Sequence, residues 1–246
     1  MRIFMNNKIK AVLFDLDGTL LPMADQGVFA KRYFGEIARV VSACGFLTPE
    51  KLVEYIWSGT KCMRKNDGSG SNMEIFWKNF SDCTGLNGEK LETVRGMCDG
   101  FYSKEFHNVR ETCGFEPLAA RAVELAGKDG RKVVLASNPV FPQVGQKTRM
   151  QWAGVDGFDF ALITSYENQK FCKPDPRYYL DICHEIGVEP QECLMIGNDE
   201  LEDAKGASEA GMNCFLLTDY LIPCENWHWD GMRGNFEQLI EFLSSL

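Results

Sequence analysis

The strand-forming segments of this chain fall in two places, separated by a long stretch of helical periodicity. A short apolar run at residues 9–14 predicts a buried strand, and four similar runs follow after residue 131. Those four runs are residues 132–136, 160–164, 193–196 and 213–217. Helical segments alternate with them, which predicts a parallel sheet covered by helices on both faces. The interruption after the first strand therefore restricts the fold to an α/β domain with an insertion.

Helical periodicity dominates the interruption itself. Phe34, Ile37 and Val41 recur at the spacing of one helix face, and Thr48 followed by a proline predicts the start of another helix. Because the block has no strand signals, we predict a separate helical bundle beside the sheet. The predicted domains are residues 1–20 with 111–246 for the sheet and residues 21–110 for the bundle. A bundle inserted next to a strand end is well placed to act as a lid.

Two aspartates stand at the end of the first strand. Asp15 and Asp17 are two residues apart and so share a face, where their charges repel unless a cation or a shared proton intervenes. The pair therefore indicates a bound Mg²⁺, an acid/base pair, or both. The alternative is an ordinary surface turn, since Asp-x-Asp-Gly is also good turn chemistry. A calcium loop is disfavoured, because apolar residues 20–23 follow where oxygen ligands are needed.

Polar residues also follow three of the later strands. They are Ser137 and Asn138 after the second strand, Lys173 after the third, and Asn198, Asp199 and Asp203 after the fourth. Ends of parallel strands meet at one edge of a sheet, so we expect these side chains to converge with the two aspartates. Carboxylates suit Mg²⁺, while a hydroxyl, backbone N–H groups and a lysine suit an anion. Each residue alone is more often a turn former, a helix cap or a surface lysine, but joint placement at four strand ends favours a site.

Charge and cysteine content limit the partners and the compartment. The formal charge of −9 disfavours nucleic acid and anionic membranes, and no basic run offsets it. The ten cysteines do not have the spacing of a zinc site. Scattered free thiols are typical of a reducing compartment, where we expect them to be buried as small apolar side chains. The apolar run at residues 11–14 is too short for a signal peptide or a membrane helix. We therefore predict a soluble cytoplasmic protein, either a monomer or a weak homodimer.

Four ordered motifs carry a family resemblance. They are Asp15-Leu16-Asp17-Gly18-Thr19, Ser137-Asn138, Lys173-Pro174-Asp175-Pro176, and Gly197-Asn198-Asp199 with Asp203. Together they resemble the motifs of the haloacid dehalogenase (HAD) superfamily, and the inserted bundle resembles that family's type 1 cap. The resemblance implies a Rossmann-like, doubly wound parallel sheet as the core, with a helical-bundle cap. One departure is Asn198, since many members have aspartate there.

The resemblance also implies a reaction and roles for the carboxylates. It implies a Mg²⁺-dependent phosphatase that hydrolyses a small phosphorylated metabolite through an aspartyl-phosphate intermediate. Asp15 is then the nucleophile, and Asp17 is the general acid that later activates water as a base. Asp15, Asp17 and Asp199 are the implied metal ligands, Asp17 through its backbone carbonyl. Asn198 and Asp203 are expected behind those ligands.

The remaining assignments concern the phosphate and the rest of the substrate. The resemblance implies that Ser137, Asn138 and Lys173 bind the phosphoryl group. In the insert, the polar, glycine-rich loop at residues 66–72 is expected to move over the site. Arg64 and Asn66 are candidate specificity residues, Arg64 by meeting a second anionic group on the substrate. The alternative is a solvated loop with ordinary surface bases.

Three other functions share parts of this pattern. A phosphomutase of the same fold keeps all of the motif residues, so the motifs do not exclude it. A catalytically silent binding protein on this fold is disfavoured because no motif residue is missing. A dehalogenase is also disfavoured, since that reaction has no use for an acid at Asp17 or for a metal.

Overall fold

A six-stranded, all-parallel sheet with strand order β3-β2-β1-β4-β5-β6 forms the centre of the computed structural model, which describes residues 8–246. The strands are β1 Ala11–Phe14, β2 Lys132–Leu135, β3 Leu162–Ile163, β4 Cys193–Gly197, β5 Asn213–Leu217 and β6 Met232–Gly234. The predicted α/β class and parallel sheet are confirmed. Residues 1–7, which belong to the predicted core domain, lie outside the described residues.

Helices cover both faces of the sheet, as the complete burial of β1 requires. Val12 and Phe14 pack on one face in a cluster that includes α5 (Ala119–Ala126) and α9 (Phe236–Ser244). Leu13 packs on the other face with α7 (Pro176–Ile186). β1 is buried throughout, so its apolar run is continuous rather than alternating, as is typical of a central parallel strand.

The insertion follows β1 and contains four helices. They are α1 Gln26–Val41, α2 Pro49–Met63, α3 Asn72–Thr84 and α4 Gly88–Ser103, followed by a 3₁₀ segment at Glu105–Thr112. Asp25 caps α1, and Thr48 caps α2 ahead of Pro49, as predicted for α2. Interlocking aromatic rings fill the bundle, with Tyr33 of α1 meeting Phe101 of α4 edge to face.

The remaining helices return the chain to the sheet after each strand. They are α6 Gln143–Ala153 after β2 and α8 Gly206–Glu209 after β4. A π-helical turn at Glu200–Lys205 lies between β4 and α8. Asp175 caps α7, with Pro176 in its first turn. In residues 8–246, no helix combines the length and the apolar character needed to cross a membrane.

Ser71 caps α3 in a capping box with Glu74, and the buried amide of Asn72 donates to the Pro139 carbonyl oxygen at 3.2 Å. The predicted strands differ from the structure in two places. The third strand is two residues long, not the five of residues 160–164. The sixth strand was missed, because its three residues carry no strand pattern.

Candidate active site

Strand register brings the polar strand ends together. Phe14 of β1 pairs with Leu135 of β2 and with Ile196 of β4, so all three strands end at one level. The backbone N–H of Asp15 donates to the Ile196 carbonyl oxygen at 2.9 Å, and that of Ala136 donates to Phe14 at 2.7 Å. The residues that follow each strand therefore face one another across the carboxyl edge of the sheet.

A cavity of about 110 Å³ opens at this edge, and we call it the carboxylate cavity. Its lining is Asp15, Asp17, Gln26, Ser137, Asn138, Val140, Phe141, Asn198, Asp199, Glu202, Asp203 and Ile222. Seven of the predicted site residues belong to this lining: Asp15, Asp17, Ser137, Asn138, Asn198, Asp199 and Asp203. Lys173 is the eighth member of the cluster, placed behind Asp15.

Lys173 joins two carboxylates from different strands. Its Nζ donates to Asp15 Oδ1 at 2.8 Å and to Asp203 Oδ1 at 2.6 Å, and its side chain is 1% exposed. Burial raises the pKa of Asp15 to about 7, because desolvation outweighs the attraction of Lys173. Burial works against the charge on Lys173, but Asp15 and Asp203 together raise its pKa well above the usual value. Lys173 is therefore a cation at neutral pH and offsets negative charge at Asp15.

Asp203 also fixes the backbone of the fourth motif. Its Oδ2 accepts the N–H groups of Asn198 and Asp199, each at 3.0 Å. A Cβ at Gly197 would lie 2.2 Å from the same oxygen, so only glycine lets the carboxylate come this close. Asp203 thus holds Lys173 with one oxygen and the Asn198–Asp199 turn with the other.

Asn198 ties the first motif to the end of β5. Its Oδ1 accepts the Thr19 hydroxyl at 3.1 Å, and its Nδ2 donates to the Tyr220 carbonyl oxygen at 2.6 Å. Gly18 has φ of +84°, and a Cβ there would lie 2.3 Å from Asn198 Nδ2. Asn198 therefore holds the loop after Asp17 through its oxygen and the chain after β5 through its nitrogen.

Asp199 presents one carboxylate oxygen to the cavity. Its Oδ1 accepts the N–H groups of Leu201 and Glu202, each at 2.8 Å, and so caps the helical turn that follows. Burial raises the pKa of Asp199 to about 6. Its Oδ2 makes no hydrogen bond to any residue in the described part of the chain.

Sequence reasoning missed the partner of Asp17. Arg149 of α6 is fully buried, and its Nη1 forms an ion pair with Asp17 Oδ2. The same guanidinium donates to Gln146 Oε1 and stacks over the Phe141 ring at 4.2 Å from the centroid. One sequence signal could have indicated it. Arg149 lies three residues before Trp152 and so shares a helix face with an apolar ring, which suggests a buried arginine that needs an acidic partner.

Free carboxylate oxygens at the cavity match the preferences of Mg²⁺. Asp199 Oδ2 has no hydrogen-bond partner among residues 8–246, and Asp15 pairs with Lys173 through Oδ1 alone. No group of three or more His, Cys, Asp or Glu side chains within that range forms a metal-binding cluster. Mg²⁺ is commonly held by only one or two carboxylates with waters and substrate phosphate, so the donor set fits it.

Arg64 reaches from the insert to the core. Its Nη2 lies 2.5 Å from Glu202 Oε1, and Glu202 Oε2 accepts Asn138 Nδ2 at 2.8 Å. Glu202 is a second residue that sequence reasoning missed, since a glutamate in a helical turn carries no local signal. Asn66 is buried in the loop that follows α2, where its Nδ2 donates to the Gly70 carbonyl oxygen at 2.9 Å.

Comparison with known proteins gives a consistent match. A family model described as haloacid dehalogenase-like hydrolase matches residues 9–211. A glyceraldehyde 3-phosphate phosphatase of Methanothermobacter thermautotrophicus is 27% identical over 226 residues, which cover 89% of this chain and 90% of that protein. The (S)-2-haloacid dehalogenase 4A of Burkholderia cepacia is 27% identical over 226 residues, covering 90% of this chain and 88% of that protein. A solved HAD phosphatase from Thermococcus onnurineus superposes with a TM-score of 0.58 at 19% identity, covering 96% and 98% of the two chains.

Proposed function

This chain belongs to the haloacid dehalogenase-like hydrolases, and we propose that within this family it is a Mg²⁺-dependent phosphatase acting on a small phosphorylated metabolite. One observation carries the proposal: a second carboxylate, Asp17, lines the same cavity as Asp15, whose charge is matched by Lys173 at 2.8 Å. A dehalogenase needs no acid for its halide leaving group. Phosphate-ester hydrolysis does need one, because an alkoxide must be protonated as it leaves.

In the proposed first step, a carboxylate oxygen of Asp15 attacks phosphorus, and the bond from phosphorus to the ester oxygen breaks. Asp17 gives its proton to the departing alkoxide. In the second step, Asp17 takes a proton from water while that water attacks the aspartyl-phosphate, which releases inorganic phosphate and restores Asp15. Lys173 stays protonated throughout and offsets the charge on Asp15 and the phosphoryl oxygens.

The residues proposed to hold Mg²⁺ are Asp15, Asp199 and the backbone carbonyl of Asp17. When bound, the ion offsets the negative charge of the phosphoryl oxygens. Ser137 lines the carboxylate cavity with its neighbour Asn138, and we assign both to the phosphate. The Asn138 amide nitrogen is held by Glu202, which fixes the orientation of that side chain.

The test is Mg²⁺-dependent release of phosphate from p-nitrophenyl phosphate. We expect Asp15→Asn to lower kcat by about 10³-fold or more, since it removes the nucleophile. Asp156→Asn makes the same chemical change at an exposed position outside the site and serves as the control. Chelation of Mg²⁺ is expected to stop turnover. Unchanged Mg²⁺-dependent activity in Asp15→Asn would show that the nucleophile is assigned wrongly.

A further inference from the structure

A second cavity, of about 290 Å³, lies between the insert and the core and adjoins the carboxylate cavity. We call it the aromatic cavity. The two linings share Asp17, Gln26, Val140 and Phe141, so a group bonded to a phosphate at Asp15 would extend into this space. Its volume is near the lower limit for small-molecule sites in proteins.

Aromatic and aliphatic side chains form most of the walls. Phe29, Tyr33, Trp77, Tyr102 and Phe141 contribute rings, and α1 and α2 add aliphatic side chains such as Ile37 and Ile56. Transfer of hydrocarbon from water to such walls is favourable in proportion to the area covered. The cavity is therefore suited to a hydrocarbon group.

The hydroxyl groups of the walls already have partners, which leaves Gln26, Asp99 and Asp17 Oδ1 among the wall groups without a hydrogen bond within residues 8–246. The Tyr33 and Tyr102 hydroxyls are 2.6 Å apart and hydrogen-bond each other. Thr60 Oγ1 donates to the Ile56 carbonyl oxygen of its own helix at 2.9 Å. A sugar hydroxyl placed here would give up its hydrogen bonds to water with few replacements available, which is costly.

The charges at the cavity do not favour a second anionic group. Among residues 8–246, Arg64 is the one cationic residue in the lining, and its guanidinium is paired with Glu202 at 2.5 Å. Asp99 of α4 is exposed at the cavity and forms no ion pair with any residue among those described, so it repels a further negative charge. A carboxylate on the substrate would therefore be disfavoured in this cavity.

Resting on the proposed phosphatase function, we propose that the substrate is a phosphate monoester whose leaving group is a hydrocarbon chain or ring seated in the aromatic cavity. The phosphate lies at Asp15, the ester oxygen lies near Asp17, and the apolar group packs among the rings of α1 and α4. Polyol phosphates and phosphorylated acids are poor substrates in this assignment.

The test compares primary alkyl phosphates that differ only in the leaving group. Across ethyl, n-butyl and n-hexyl phosphate, kcat/KM is expected to rise by roughly fourfold per added methylene. Sorbitol 6-phosphate has the same six-carbon chain as n-hexyl phosphate but carries hydroxyls. We expect its kcat/KM to be about 100-fold lower than that of n-hexyl phosphate.

A cavity-filling variant links the preference to this space. Ala30 of α1 is half-buried in the lining, and Ala30→Phe is expected to lower the ratio of kcat/KM for n-hexyl over ethyl phosphate by roughly tenfold. Phe115→Ala alters an exposed ring outside the cavity, and the ratio should stay at the wild-type value. Because the measured quantity is a ratio, a partial loss of folded enzyme does not affect it.

Binding gives a measurement independent of turnover and of the variants. Trp57 and Trp77 line the cavity, so their fluorescence should report n-hexylphosphonate, which we expect to bind more tightly than ethylphosphonate. If p-nitrophenyl phosphate is hydrolysed but sorbitol 6-phosphate equals n-hexyl phosphate, the hydrocarbon assignment is wrong and the phosphatase function stands. If no ester is hydrolysed but n-hexylphosphonate binds more tightly, the phosphatase function is wrong and the preference for hydrocarbon is upheld.

Discussion

Arg149, a fully buried arginine on α6, forms an ion pair with Asp17, the proposed acid of the carboxylate cavity. The ion pair connects the buried face of α6 to Asp17, the side chain that is proposed to donate a proton in the first step and to accept one in the second. Stacking on Phe141 and a hydrogen bond to Gln146 fix the guanidinium, so Asp17 Oδ2 is held in one place. We infer that Arg149 is a positioning residue for Asp17.

The first prediction follows from this pair. Arg149→Met is expected to lower kcat by about 100-fold, with a smaller change in KM, because the acid is displaced while phosphate binding is kept. Arg149→Lys retains the charge and should recover part of kcat. Steady-state kinetics with p-nitrophenyl phosphate checks both variants. An equal loss in KM and kcat, unrelieved by lysine, would point to a general structural defect instead.

The second prediction concerns the buried link between Asp203 and Lys173. Asp203→Asn removes one of the two carboxylates that neutralise Lys173, and we expect a loss of about 3 kcal/mol in the free energy of unfolding. Urea unfolding measures that loss. Asp219→Asn, at an exposed position, is the matched control and should change stability by less than about 0.5 kcal/mol. Equal stability of the two variants would contradict the assigned role of Asp203.

The third prediction concerns the tie between the insert and the core. The pair of Arg64 with Glu202 is partly exposed, so Arg64→Ala should cost less than about 1 kcal/mol of stability. Loosening the insert over the cavity should still raise KM by a few-fold, and added salt should raise the wild-type KM toward the variant's value. Lys65→Ala, at the exposed neighbour, is the control. A salt-dependent KM that persists in Arg64→Ala would contradict this role of the pair.

The fourth prediction concerns pH and the cap of α7. A hydrogen bond from Arg177 lowers the pKa of Asp175, which also caps the helix through the Arg177 N–H at 2.9 Å. Because the folded-state pKa lies below the unfolded one, this stability is present above the unfolded pKa. It is lost as pH falls through the folded value.

Asp175→Ala should therefore cost about 1 kcal/mol at neutral pH, and the difference from wild type should shrink in acid. Thermal unfolding between neutral and acidic pH measures it. Asp175→Asn keeps a capping oxygen without the charge, so its stability should depend less on pH over the same interval. A pH-independent difference between Asp175→Ala and wild type would mean that the charge plays no part.

Local sequence was sufficient for the elements that depend on a few adjacent residues. The apolar run before Asp15, the cap at Thr48 and the cap at Asp175 each specify their structure within one turn or one strand. The short β6 was not predictable, because its pairing with β5 depends on backbone contacts that any sequence can make.

The sequence by itself therefore determined the α/β core, the position of the helical insertion and the set of polar residues at the strand ends, because these follow from short-range periodicity. The tertiary structure decided which side chains meet across large separations. Arg149 reaches Asp17, and Glu202 joins Asn138 to Arg64, only because the packing of helices on the sheet brings them together. The aromatic cavity is likewise formed by rings from different helices, whose spacing depends on packing rather than on any one segment.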